Sequence, residues 1–223
     1  MADSIEASKI PENLWSAELC KKYLPLPKSS DHKYRRGVLC CITGSKKYPG
    51  AALLTTASAI SVGIGMVRYL GPNSVTQSVI QNRAEVVLAR GGVDAYLLGS
   101  GVSNEGMTLQ RLRISRAKKR GKPVVLDAGA LHLAGKIGSP TIITPHSGEL
   151  GRLLDRSASE IDKDRSKYAV EAANKYHVTV LLKGSETIIT NGSELIKLPI
   201  ATSWLSTAGT GDVLAGVLGA LMA

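Results

Sequence analysis

Phenylalanine is absent from this 223-residue chain, and seven Tyr and two Trp are all its aromatic residues. Proteins that grip single strands or RNA offer stacking platforms, so this shortage argues against nucleic acid as the primary ligand. Cysteine is scarce as well: Cys40 and Cys41 are adjacent and point to opposite faces of any strand, while Cys20 stands alone. They form neither a disulfide framework nor a CxxC metal pair and are expected to be reduced and structural. Long apolar runs are also missing. Each one is broken by Gly, Ser, Thr or charge well before the ~18 residues that a spanning helix needs. The opening MADSIEASKIPENLW has no basic segment followed by an apolar stretch, so no membrane partner and a cytoplasmic location are expected. Familiar nucleotide and metal signatures are lacking too. There is no Gly-Lys-Ser or Gly-Lys-Thr, which excludes a P-loop. The glycines at 99, 101 and 106, and at 209, 211 and 216, miss the G-x-G-x-x-G spacing of a dinucleotide fingerprint. No His/Cys cluster and no G-x-S-x-G occur, which removes a metal cage and weakens a serine-hydrolase reading.

Acidic residues are the minority, 18 against 28 Lys and Arg, and the net charge of +10 favours an anionic partner. Nucleic acid, a membrane surface and phosphorylated small molecules all qualify on charge alone. The densest basic run, Arg111 to Lys122, reads as a solvated helix face or a binding surface, with Leu109, Leu112 and Ala117 left for burial.

With 43% hydrophobic residues the chain suits one sizeable core, so a single domain over 1–223 is expected. Short β-branched runs alternate with longer amphipathic ones, the pattern of βαβ units around a mostly parallel sheet flanked by helices. Strands are expected at 38–43, 75–80, 86–89, 95–99, 124–128, 141–144 and 178–183. A hairpin of 187–190 and 195–198 about Asn191-Gly192 is expected to follow. Helices are expected at 51–63, 107–119, 162–177 and 209–222, with Ser157 and Glu160 in capping-box spacing ahead of the third. The first thirty residues read as a short helix and an irregular lead-in.

Much of the glycine falls where expected strands end and helices begin, the edge at which an open α/β sheet binds ligands. Six such junctions occur: TGSKKYPGAA (43–52), LGSGVSNEG (98–106), LDAGAL (126–131), TPHSGEL (144–150), KGSET (183–187) and STAGTGD (206–212). In the last, Gly209-Thr210-Gly211 opens an apolar helix. Its free backbone N–H groups and the positive end of the helix dipole suit an anion hole for a transferring phosphoryl group. Asp212, held in the first turn, can take the proton from an attacking hydroxyl. Alone, the same residues read equally well as a tight turn with a helix-start acid.

Taken together, HKYRRGVLCCITGSKKYPGAALLTTASAISVGIGMVRYLGP, LGSGVS, VVLDAGAL, ITPHSGEL, VLLKGSETIIT and STAGTGDVLAGVLGAL strongly resemble the ADP-dependent NAD(P)H-hydrate dehydratases of the ribokinase-like superfamily. The resemblance runs from about His32 onward, and the combination of YPGAA, TPHSGEL and GTGD is what makes it specific. It implies a three-layer α/β/α ribokinase-like fold. It also implies repair of hydrated NADH and NADPH at the expense of a nucleotide phosphoanhydride, with ADP as co-substrate, ATP as the other possibility, and Mg²⁺ as cofactor. Phosphorylation of the C6 hydroxyl turns a poor leaving group into a good one, so the net reaction is that of a hydro-lyase. By the same resemblance Asp212 is the base at the substrate hydroxyl, and Ala51, Gly101 and His146 line the substrate pocket. Lys183, Gly184, Ser185, Glu186, Thr187 and Gly211 bind the nucleotide. Without the resemblance, His146 reads as a structural residue beside a helix start and Lys183 as a strand-end lysine in solvent. Asp127 and Glu149 are the candidates for Mg²⁺ or its water shell, or else orient nearby backbone. The implied partners are a separate epimerase that interconverts the two hydrate epimers and further copies of the chain in a homotetramer.

The chain departs from the family pattern in three places. Gly99-Ser100-Gly101-Val102-Ser103 stands where the family often has G-P-G-L-G. Asp127-Ala128-Gly129-Ala130-Leu131-His132 stands where it often has D-A-D-A-L-N, one carboxylate fewer. Relatives generally continue beyond the helix after GTGD, so one wall of the adenine pocket is expected to be incomplete unless that part is dispensable or supplied by a neighbouring subunit. Two other readings remain at this point: a vitamin-alcohol kinase of the same fold, and a basic nucleic-acid-binding protein that uses Arg111 to Lys122.

Overall fold

A computed structural model describes residues 12–14, 17–24, 26–102 and 121–223. In chain order its strands are β1 (Glu12–Leu14), β2 (Val38–Ile42), β3 (Met66–Tyr69), β4 (Ala95–Leu98), β5 (Val124–Leu126), β6 (Thr141–Ile143), β7 (Thr179–Leu182), β8 (Ile188–Thr190) and β9 (Leu195–Lys197). Its α-helices are α1 (Ala17–Tyr23), α2 (Pro49–Ser61), α3 (Asn73–Asn82), α4 (Ser147–Leu154), α5 (Ala158–Lys163), α6 (Arg165–Tyr176) and α7 (Thr210–Met222). Short 3-10 turns cover Ala128–Leu133 and Ser203–Leu205. Among the described residues no helix is long and apolar enough to cross a membrane. The helix expected at 107–119 and nearly all of the basic run lie outside the described residues.

The chain clusters into two compact units, one of 27–141 with 206–223, the other of the segment up to Leu26 with 142–205. In the first, the strand order is β3-β2-β4-β5, parallel throughout. All five side chains of β2 (VLCCI) are buried, which is why it reads as a continuous apolar run rather than an alternating one. Burial pushes the Cys41 thiol up from its ordinary value, so it is an inert core thiol. Helix α2 starts with Pro49 in its first turn and buries a face of small residues, Ala51, Ala52, Thr55, Thr56, Ser58 and Ala59. The two threonine hydroxyls are satisfied by carbonyls one turn back, Thr55 on Ala51 and Thr56 on Ala52, each at 2.7 Å. Helix α7 packs against this face through glycine. A Cβ at Gly216 would stand 2.0 Å from Ser58 Oγ and 2.4 Å from the Thr55 carbonyl oxygen.

In the second unit the order is β1-β9-β8-β7-β6. There β6 and β7 are parallel, β7-β8 and β8-β9 antiparallel, and β1 is parallel to β9. The β8-β9 hairpin expected from Asn191-Gly192 is present. Thr190 pairs with Leu195, and Asn191 Oδ1 accepts from the N–H groups of Ser193 and Glu194.

Three expectations are corrected. Residues 75–80 belong to α3, not to a strand: Val75 and Val79 are both fully buried one helical turn apart, with polar Thr76, Gln77 and Ser78 between them. Packing of that i,i+4 pair overrides the β propensity of the valines. Residues 86–89 form only a single parallel bridge, Val87 to Arg68 of β3, a strand whose MVRY was not singled out. The helix expected at 162–177 is broken at Asp164 (φ −151°, ψ 75°). Its carboxylate accepts the Lys167 N–H at 3.0 Å and starts α6 afresh. Ser157, read as a cap, accepts the Glu160 N–H at 3.1 Å and opens α5.

Candidate functional site

In the unit of 27–141 with 206–223, the start of α7 sets a carboxylate in a helix turn without a side-chain cap. Gly209 is its N-cap, at φ 94° where glycine is at ease, and no side chain caps the helix. The first helical bond runs from the Val213 N–H to the Gly209 carbonyl at 3.0 Å. Thr210, Gly211 and Asp212 therefore occupy the turn whose N–H groups an α-helix leaves for an outside acceptor. A Cβ at Gly209 would come within 2.6 Å of Leu54 Cδ1, so the Leu54 side chain of α2 lies against the turn. Asp212 is half-buried in this first turn and already has an interaction partner.

The structure brings together Ala51 and Gly101, the two small residues read as lining the substrate pocket. Gly101 has φ 64°, and a Cβ there would lie 2.3 Å from Ala51 Cβ and 3.1 Å from the Tyr48 carbonyl oxygen. Beside them the Gly44 N–H donates to the Ser100 carbonyl at 2.7 Å. Asp127, a magnesium candidate, is 2% exposed and its Oδ2 accepts the Ser100 hydroxyl at 2.8 Å. The serine that departs from the family's pattern is thus what binds this buried carboxylate. Lys122, at the end of the basic run, pairs with Asp94 at 3.1 Å.

In the other unit, His146 caps α4. Its Nδ1 accepts the Gly148 N–H at 3.0 Å, while Glu149 Oε2 accepts the His146 N–H at 2.9 Å, a reciprocal capping box. The ring is therefore engaged structurally at Nδ1, and its Nε2 stands 3.6 Å from Glu149 Oε2. Glu149, the other magnesium candidate, has a side chain only 10% exposed and lies 3.8 Å from Lys183 Nζ. Lys183 is consequently not a lysine in free solvent: its N–H donates to the Pro145 carbonyl at 2.8 Å, and its ammonium lies against a carboxylate. Residues 183–187 connect β7 to β8 and are held from several sides. The Ala201 N–H donates to the Ser185 carbonyl at 2.8 Å and the Leu198 N–H to the Thr187 carbonyl at 2.9 Å.

The residue that sequence reasoning missed is Arg165. From the first turn of α6 its Nη2 faces the carbonyls of Lys183 at 3.1 Å, Glu186 at 3.2 Å and Leu182 at 3.4 Å. Its Nη1 donates to Ser147 Oγ at 2.8 Å. The only signal in the sequence was the i,i+3 spacing of Asp162 and Arg165, which reads as an ordinary helix ion pair.

Among the described residues no group of three or more His, Cys, Asp or Glu could hold a metal ion. Asp127 and Glu149 each spend a carboxylate oxygen on an internal hydrogen bond. Taken singly, either carboxylate suits at most a contact with the water shell of a magnesium ion, which keeps most of its waters.

A family model and the curated relatives point to one family. Residues 39–223 match the family described as NAD(P)H-hydrate dehydratase. A bifunctional NAD(P)H-hydrate repair enzyme of Mycobacterium leprae is 35% identical over 214 residues, which is 90% of this chain and 44% of that protein. The chain thus spans under half the length of the curated relatives it matches. An ADP/ATP-dependent NAD(P)H-hydrate dehydratase of Bacillus subtilis, co-crystallised with ATP and Mg²⁺, superposes with a TM-score of 0.84 at 28% identity. That match covers 96% of this chain and 82% of that one. A ribokinase-like superfamily protein of Enterococcus faecalis shares the fold at TM-score 0.83 and 20% identity, covering 94% of this chain and 79% of its own. With a mostly parallel sheet flanked by helices and a ribokinase-like fold, the chain belongs to the NAD(P)H-hydrate dehydratase family.

Proposed function

We propose that this chain dehydrates hydrated NADH and NADPH, the (S)-epimers, back to the reduced dinucleotides. ADP is the favoured co-substrate, giving AMP and phosphate, and ATP is the alternative. The observation that carries the reading is the likeness to the Bacillus subtilis dehydratase over nearly the whole chain. Asp212 accepts the proton of the C6 hydroxyl as its oxygen attacks the terminal phosphorus of the nucleotide. The N–H groups of Gly209, Thr210 and Gly211 stabilise the charge that develops on the transferring phosphoryl oxygens. Phosphate then leaves C6 as C5 loses a proton, and the ring double bond re-forms. Lys183 to Thr187, with Gly211, receive the nucleotide, and Ala51, Gly101 and His146 line the substrate pocket. Magnesium neutralises phosphate charge when it arrives with the nucleotide.

The same reading names a separate epimerase, which supplies the (S)-hydrate from its epimer, as pathway partner. It makes the working form a homotetramer of one functional domain per chain. Three free thiols, two of them buried, suit a reducing compartment such as the cytoplasm. The test is recovery of near-UV absorbance when hydrated NADH, Mg²⁺ and either ADP or ATP are added to the purified protein. Recovery with ADP supports ADP-dependent dehydration, recovery with ATP alone reverses the nucleotide, and a stable phosphate ester in place of reduced cofactor replaces the dehydratase with a kinase.

A further inference from the structure

We infer that Arg165 is a positioning residue for the nucleotide: it fixes the orientation of the peptide groups of residues 183–187. The inference rests on the proposed role of that segment in nucleotide binding. Its physical basis is a single guanidinium that replaces the hydrogen bonds a short connection cannot make with itself. Nη2 faces the carbonyl oxygens of Leu182, Lys183 and Glu186, at 3.4, 3.1 and 3.2 Å. Nη1 donates to Ser147 Oγ at 2.8 Å and faces Asp162 Oδ1 at 3.5 Å, and Ser147 in turn bonds Asp162 Oδ1 at 2.5 Å. The planar fork is therefore anchored on one side by α4 and α5, and on the other it draws carbonyls toward itself. A lysine, with one compact ammonium, cannot span this set.

Consequences for the segment follow from which peptide groups are already used. The carbonyls of Leu182, Lys183 and Glu186 turn to Arg165, that of Ser185 to the Ala201 N–H, and that of Thr187 to the Leu198 N–H. Among the described residues the N–H groups of Gly184, Ser185, Glu186 and Thr187 enter none of these bonds, so that edge of the same peptides can face an anionic ligand. Gly184 is part of the device. A Cβ there would lie 2.4 Å from Arg165 Nη2 and 2.8 Å from Cζ, so the guanidinium rests against the bare Cα. The side chain of Arg165 is only 21% exposed, and its partially desolvated charge makes each of these bonds stronger than a neutral one.

The test is calorimetric titration of Mg-ADP into the folded full chain, with the Michaelis constant for hydrated NADH measured alongside. Arg165→Gln is expected to weaken ADP binding by about tenfold to a hundredfold, the range for one peptide N–H turned away from a charged phosphate oxygen, while the constant for hydrated NADH stays put. Arg165→Lys is expected to recover only part of the affinity. Gly184→Ala keeps every charge and displaces the guanidinium, so it weakens ADP binding by itself and adds little to Arg165→Gln, the mark of one shared contact. It also decides the matter if Arg165→Gln does not fold. Arg156→Gln, which removes a guanidinium paired with Glu160, serves as the control with unchanged affinity. Unchanged ADP affinity in both Arg165→Gln and Gly184→Ala, with wild type binding normally, overturns the inference alone. A wild-type protein that binds no adenine nucleotide removes the underlying reading and the inference with it.

Discussion

Asp212 stands third in a helix whose opening N–H groups have no side-chain cap, so its carboxylate and the anion hole are delivered by one turn of backbone. General-base removal lowers rates by about 10²–10⁴. Asp212→Asn is accordingly expected to lose that much turnover while calorimetry finds ADP affinity largely intact; near-normal turnover would take Asp212 out of the mechanism. Gly101 is constrained by contact and by backbone together. With φ 64° and a virtual Cβ 2.3 Å from Ala51 Cβ, Gly101→Ala must push α2 away. The expected cost is about 1–3 kcal/mol, read as a lowered melting temperature, with a raised Michaelis constant for hydrated NADH. Glu160 contributes to the acid limb of stability. The Tyr168 hydroxyl and then the Arg156 guanidinium donate to its carboxylate and hold its pKa below the ordinary 4.5. A carboxyl with a lowered folded-state pKa contributes stability above its unfolded pKa and loses it as pH falls through the folded one. The melting-temperature gap between wild type and Glu160→Gln is therefore expected at pH 7 and should close as the pH is taken below 4.5; a gap unchanged at acid pH would assign it to packing instead.

Helices α2 and α7 form the scaffold on which the candidate base is mounted. Their contact is made by Gly216 against Thr55 and Ser58, while Gly219 sits 3.0 Å, at a virtual Cβ, from Leu39 Cδ2 of β2. Gly216→Ala places a methyl group against the Thr55 carbonyl, which cannot rotate away. It is expected to cost about 1–3 kcal/mol, a fall of roughly 3–10 °C, and to lower turnover because α7 carries Asp212. A variant as stable and active as wild type would mean the two helices can slide apart freely. Both helices were legible in the sequence, because Pro49 and Gly209 punctuate their starts and small residues fill their shared face. α3 was not: NSVTQSVIQN carries enough β-branched residues to pass for a strand, and only the burial of Val75 and Val79 on one side decides its period. The capping box of α4 was half legible. His146 and Glu149 were both noted as site candidates, yet their reciprocal bonds are what start the helix.

The molecule as a whole carries a net charge of +10 and is inferred to handle three anions: two dinucleotides and a phosphoanhydride donor. A field of that sign raises encounter rates with anionic ligands and is screened over about 8–10 Å at physiological salt. The specificity constant for ADP is expected to fall steeply as salt is raised from about 20 to about 200 mM, with turnover at saturation little changed. A salt-independent constant would make the basic excess irrelevant to this site. By itself the amino-acid sequence determined much of the alternation of strands and helices, the polar junctions that follow β2, β4, β5, β6 and β7, and the glycine turn that sets Asp212 at a helix start. These are encoded locally, in hydrophobic period and turn chemistry within a few residues. Only the tertiary structure decided that 75–80 is a helix, that Gly101 rests on Ala51, and that Arg165 holds the peptides of 183–187. Each of these is a contact between segments separated along the chain, where close packing and unpaired carbonyls choose the partner and no local pattern records the choice.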